Sequence, residues 1–123
     1  MAEVLKAPLD ATDDRGAVTV EAALALCSLV AVLALVLAAV SAVAAQLRCV
    51  DAAREAARLT ARGEPDRAEQ LAHRIAPRGA VVVVAVHGDE VSARVSANPV
   101  PALLPGIKVA AEAAAVMEPG EAP

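Results

Sequence analysis

The sequence is dominated by one uninterrupted apolar stretch. No charged residue occurs in the 24 positions from Ala22 to Ala45, counted inclusively. As an α-helix this run is about 36 Å long at about 1.5 Å per residue. A hydrocarbon core about 30 Å thick needs roughly 20 such residues. Leu24, Leu26, Leu29, Val30, Val32, Leu33, Leu35, Val36, Leu37 and Val40 cover every side of that helix. A helix apolar all round belongs in lipid or deep in a large core. A chain of 123 residues has no core large enough to hide it, so a transmembrane helix is predicted at about 22–45.

The remaining residues allow a membrane helix plus one small head. The chain has no Phe, Tyr or Trp, so its apolar mass is Ala, Val and Leu. The aromatic belt that often marks membrane interfaces is absent from the composition. Net charge is −4 with the signs mixed, which does not make the clustered basic face of a nucleic-acid binder. Cys27 and Cys49 lie about 33 Å apart on one helix, too far for an intrachain bridge. Cys27 reads as an apolar filler in the span. Cys49 reads as a free thiol, with pairing between chains as the alternative.

Residues 1–16 form a polar leader. Pro8, Asp10, Thr12, Asp13, Asp14 and Gly16 all disfavour regular structure there. Its junction with the span reads Arg15-Gly16-Ala17-Val18-Thr19-Val20-Glu21. A carboxylate at the mouth of a lipid-facing helix is costly without a partner. A cut after Gly16 would supply one, the new α-amino group of Ala17. Ala17 and Glu21 are four residues apart and share a helix face. Glu21 of one copy could equally pair with the amine of a staggered neighbour. Desolvation takes back much of the gain from such a shielded pair.

Arg15-Gly16 followed by Val18, Val20 and Glu21 resembles the class III signal of type IV prepilins, cut between Gly16 and Ala17. The longer pattern is narrower. It runs from Asp14 through the Ala/Leu/Val span to Asp51-Ala-Ala-Arg-Glu-Ala-Ala-Arg58 and a small β-rich tail. It resembles the TadE-like minor pilins, or pseudopilins, of tight-adherence (Flp) pilus systems, in the short actinobacterial style. Many members of that family carry an aromatic after the Glu, where this chain has Ala22. The resemblance implies processing at Gly16 and Ala17, with Arg15 and Glu21 used in recognition and assembly. It also implies prepilin peptidase, other pilin subunits and the pilus assembly machinery as partners, beside the membrane itself. The leader would lie in the cytoplasm and the head outside. Counting Lys6 and Arg15 against Arg48, Arg54, Arg58 and Arg62 favours the opposite orientation.

Other readings of the run are weaker. A secretory signal peptide cut near Ala42-Val43-Ala44 would need an apolar region of about 7–15 residues. Lipidation at Cys27 is opposed by the bulk of Leu26. A single-span membrane-anchored accessory or binding protein with an uncleaved N-terminus is the alternative function.

Beyond the span, residues 46–62 contain no Gly or Pro and many strong helix formers, so the helix is predicted to continue as a projecting segment to Arg62. Arg54, Arg58 and Arg62 recur every fourth residue as a basic stripe. Asp51 and Glu55, each three residues ahead of an Arg, are placed to pair with it. The stripe reads as a solvated face, with anionic headgroups or an acidic neighbour as the alternative contact. Gly63 and Pro65 end the helix.

A short amphipathic helix is predicted next, with Ala68, Leu71, Ala72 and Ile75 on its apolar side and His73 on or near its polar side. Ala80–Val86 and Val91–Ala97 read as a β-hairpin around His87-Gly88-Asp89-Glu90. Residues 107–117 alternate like a strand, yet Ala-Ala-Glu-Ala-Ala-Ala favours helix. The gain a hairpin makes from a third strand tips the reading to strand.

The predicted class is therefore α+β. It has a leader (1–16), a long helix (17–62), a small head (63–117) and a disordered tail (118–123). Such a head buries little by itself and is expected to pack on the long helix or on neighbouring subunits. The residues form no catalytic constellation, metal cluster or phosphate loop, so neither enzyme activity nor a cofactor is expected.

Overall fold

The computed structural model describes residues 10–99, 101 and 105–120. Five elements follow in order: α1 (Asp10–Ala61), α2 (Pro65–Ile75), β1 (Val81–His87), β2 (Glu90–Ala97) and β3 (Val109–Val116). The class is α+β, as the sequence predicts. The chain divides into two units, Met1–Leu37 and Ala38–Pro123.

In the first unit the described residues are all helical. The helix begins at Asp10, within the segment expected to lack regular structure. No proline lies between Pro8 and Pro65 to stop it. Gly16 costs about 1 kcal/mol relative to Ala, too little to halt a helix propagating from so long a run. Leu24, Leu29, Leu33 and Leu37 are each more than half exposed. This helix is long and apolar enough to cross a membrane.

The second unit is built on the end of α1. Cys49, Ala52, Ala53, Ala56 and Ala57 have essentially no exposure and share one core with residues of α2 and all three strands. The segment predicted to project, 46–62, is thus the central helix of the head. Its small side chains explain how. An alanine face lets a sheet and a second helix close on it with little side-chain entropy lost.

A Schellman arrangement stops α1. Gly63 takes φ of 81°, the Glu64 N–H donates to the Leu59 carbonyl at 3.0 Å, and the Gly63 N–H donates to the Thr60 carbonyl at 3.0 Å. Only glycine adopts such a φ without strain. Pro65 then starts α2, whose Ala68 and Ala72 are buried while His73 is exposed.

The sheet is an antiparallel meander in the order β1-β2-β3. In the central strand Val91, Ala93, Val95 and Ala97 are buried, as their alternation predicts. His87 pairs with Glu90, leaving a two-residue turn at Gly88 and Asp89, with Gly88 at φ of 63°. Residues 109–116 are strand, paired with β2 from Val109↔Ala97 to Val116↔Glu90. Helix propensity there yields to the inward side chains of Val109, Ala111, Ala113 and Ala115, which pack on the core.

The tail expected to be disordered from Glu118 is instead tied down at its start. The Glu118 N–H donates to the Ala61 carbonyl at 3.2 Å, and its carboxylate lies 3.6 Å from Arg62. The end of that expected tail, 121–123, lies outside the described residues. The Gln46 side chain donates to the Ala110 carbonyl at 3.0 Å, a second tie between α1 and β3.

One buried group is out of place. The Thr60 hydroxyl is buried without a hydrogen-bond partner among the described residues. An unsatisfied buried hydroxyl costs about 1–3 kcal/mol, and valine has nearly the same shape. Thr60→Val is expected to stabilise the full-length protein by about 1 kcal/mol. Thermal unfolding in detergent, followed by circular dichroism, checks this; a lower midpoint would contradict the assignment.

Candidate functional site

The residues singled out at the junction lie on the helix of the first unit. Arg15, Gly16, Ala17 and Glu21 are all exposed and all helical. The bond between Gly16 and Ala17 is therefore inside a helix, in a fully enclosed backbone ladder. A peptidase needs an extended substrate backbone, so cleavage here requires the helix to open locally. Gly16 is the weak point, since glycine in a helix interior is the poorest former after proline. Nothing lies within 4 Å of where a Cβ on Gly16 would sit, so space does not demand glycine at this position.

Thr19 donates its hydroxyl to the Arg15 carbonyl at 2.8 Å, and Ser28 does the same to Leu24 at 2.7 Å. Such bonds satisfy hydroxyls within the helix itself, which suits a segment in lipid. Among the described residues Glu21 has no ion pair. It stands four residues beyond Ala17 on the same face.

The basic stripe of the second unit resolves into local pairs. Arg58 holds Glu55 with two hydrogen bonds, Nη2 to Oε1 at 2.7 Å and Nε to Oε2 at 3.1 Å. These bonds, with the charge of Arg58 behind them, hold the Glu55 carboxyl below the usual carboxylate range. Arg62 faces Glu118. Arg54 is exposed and forms no ion pair among the described residues, so the predicted Asp51 pairing is not made. Two of the three stripe arginines are thus already engaged, which fits a solvated face.

The cysteines are both free. Cys49 is fully buried in the alanine core, and burial pushes its thiol above the ordinary value. It is a packing residue, shielded from pairing with another chain. Cys27 is exposed on the apolar helix. No cluster of three His, Cys, Asp or Glu side chains suited to a metal is found among the described residues.

One arrangement escapes sequence reasoning. A groove of about 450 Å³ is formed by Ser41, Ala44, Ala45 and Arg48 with Pro77, Arg78, Asn98, Pro99 and Pro101. It joins three segments far apart in sequence. The only linear signal was the first charge after the apolar run, Arg48.

Fold and site together define a chain with one helix fit to span a membrane and a small α+β head built around the end of that helix. The chain is 54% identical over 100 residues to the Apoptosis inhibitor Rv3655c of Mycobacterium tuberculosis (strain ATCC 25618 / H37Rv), covering 81% of this chain and 78% of that protein. The chain belongs to the family of that mycobacterial protein. No model of a known protein family matches, and no solved structure matches either.

The Glu55–Arg58 pair carries a pH dependence of definite sign. A carboxyl whose folded value is lowered contributes stability that is complete above its unfolded value and is lost as pH falls through the folded one. Glu55→Gln is therefore expected to shrink the loss of thermal stability between pH 7 and about 3.5. Melting curves of the full chain at both pH values check it; an undiminished acid loss would show that Glu55 is not among the groups responsible.

Proposed function

We propose that this chain is a minor pilin or pseudopilin, a structural subunit of a Tad/Flp-type type IV pilus or a related secretion filament. Prepilin peptidase cuts it after Gly16, and the mature chain begins at Ala17. The observation that carries this reading is the Gly16-x-x-x-x-Glu21 spacing on one helix at the mouth of a charge-free run of membrane-spanning length. Glu21 is exposed at the edge of that run and has no ion pair among the described residues. A freed Ala17 amine, from the same or a neighbouring copy, meets that need.

In this proposal the helix crosses the cell membrane once, with the leader in the cytoplasm and the head outside. Partners are the peptidase, neighbouring pilin subunits and the assembly machinery. The role is structural and non-enzymatic. The alternative is a membrane-tethered accessory or binding protein that keeps its first sixteen residues. Kinship supports a further reading. The 54% identity supports inhibition of apoptosis, the activity in the relative's name, as that reading.

N-terminal sequencing of protein recovered from cells producing prepilin peptidase separates the first two readings. Ala17 as first residue is the expected result; an intact leader favours the tethered protein. Glu21→Ala is expected to leave membrane insertion intact and to abolish incorporation into filaments. A mutant incorporated at the wild-type level contradicts the assembly role of Glu21. For the kinship reading, expression in cultured cells given an apoptotic stimulus should lower caspase activity, and unchanged activity removes it.

A further inference from the structure

The groove at the base of the head combines two chemistries along its length. Ala44 and Ala45 end the apolar run, and Arg48 is the first charge beyond it. Three residues along a helix is about 5 Å. A helix spanning a membrane passes from acyl chains to headgroups over just such a step. The facing wall places a second cation, Arg78, in the loop between α2 and β1.

Both arginines are exposed. Among the described residues neither makes an ion pair, and no Asp or Glu lines the groove. Elsewhere in the head Arg58, Arg62 and Arg67 each face a carboxylate, whereas Arg54, Arg74 and Arg94 form no ion pair among the described residues. What sets Arg48 and Arg78 apart is that they line one groove together. The groove is thus a local excess of positive charge at the end of an apolar helix. Guanidinium groups present forked donors that match phosphate oxygens.

We infer that this groove binds the phosphate of an anionic phospholipid, with Arg48 and Arg78 on the headgroup and the acyl chains along the apolar turns of residues 38–45. A zwitterionic lipid brings its own cation and leaves the two arginines uncompensated. An anionic one balances them. Arginines near a membrane surface each add about a kilocalorie of attraction to anionic lipid, so two make a site worth roughly thirty-fold in affinity. The inference rests on the helix crossing a membrane and is independent of any cut after Gly16.

The test uses the full chain in neutral detergent micelles, with bound lipid counted by native mass spectrometry. Phosphatidylglycerol, phosphatidylcholine and inorganic phosphate are the three probes. Phosphatidylglycerol is expected to bind, and R48Q/R78Q to weaken it roughly thirty-fold, while R54Q/R62Q on the stripe binds like wild type. Arg78→Gln alone, a loop change that spares the helix, is expected to lose about five-fold and serves if the double variant does not fold. Equal binding of phosphatidylcholine overturns the inference, as does an equal loss in R54Q/R62Q. Undiminished phosphatidylglycerol binding by Arg78→Gln overturns it as well. Inorganic phosphate bound as tightly as the lipid would make this a free-anion site and overturn the lipid assignment.

Discussion

The head depends on one buried core shared by the last four turns of α1 and the central strand β2. Its partners are small. Cys49, Ala52, Ala53, Ala56 and Ala57 share one buried cluster with Ala93, Val95 and Ala97, and the chain has no Phe, Tyr or Trp to fill a wider gap. Packing at interior density with such side chains requires the backbones themselves to come near. Every other feature of the second unit follows from that closeness. The third strand covers the helix flank, the Gln46 amide reaches the Ala110 carbonyl, and Glu118 returns to the helix end.

One helix therefore serves two solvents. From Ala22 to Ala45 it is apolar on every side, and a lipid environment is the one that pays for such exposure. From Gln46 onward one face is alanine and the other is charged, which is the pattern of a helix on a protein core. The change occurs within a turn of Arg48. The helix contributes about half of the buried cluster of the second unit, five of its ten residues.

Much of this was legible in the linear pattern. The apolar run is a composition signal that no tertiary contact can hide. The stop at Gly63 and Pro65, the amphipathic stripe of α2 and the hairpin around Gly88 are local, so they were visible too. The upstream start at Asp10 was not, because turn-forming residues were weighed singly against a helix that propagates cooperatively. The tether of Glu118 was equally invisible, since its partners Ala61 and Arg62 lie more than fifty positions earlier. At the junction the spacing of Gly16 and Glu21 could be read directly, but the helical state of the bond between Gly16 and Ala17 could not.

By itself the sequence determined that one helix is long and apolar enough to cross a membrane, that charge returns at Arg48, and that Val and Ala alternate to build strands. Those facts follow from hydrophobicity and periodicity, which act along the chain. Only the tertiary structure decided that Cys49 and the alanines of 52–57 form the enclosed face of the helix, that Glu118 returns to its end, and that Arg48 and Arg78 line one groove. Each of these is set by partners distant in sequence, where burial and pairing outweigh local preference.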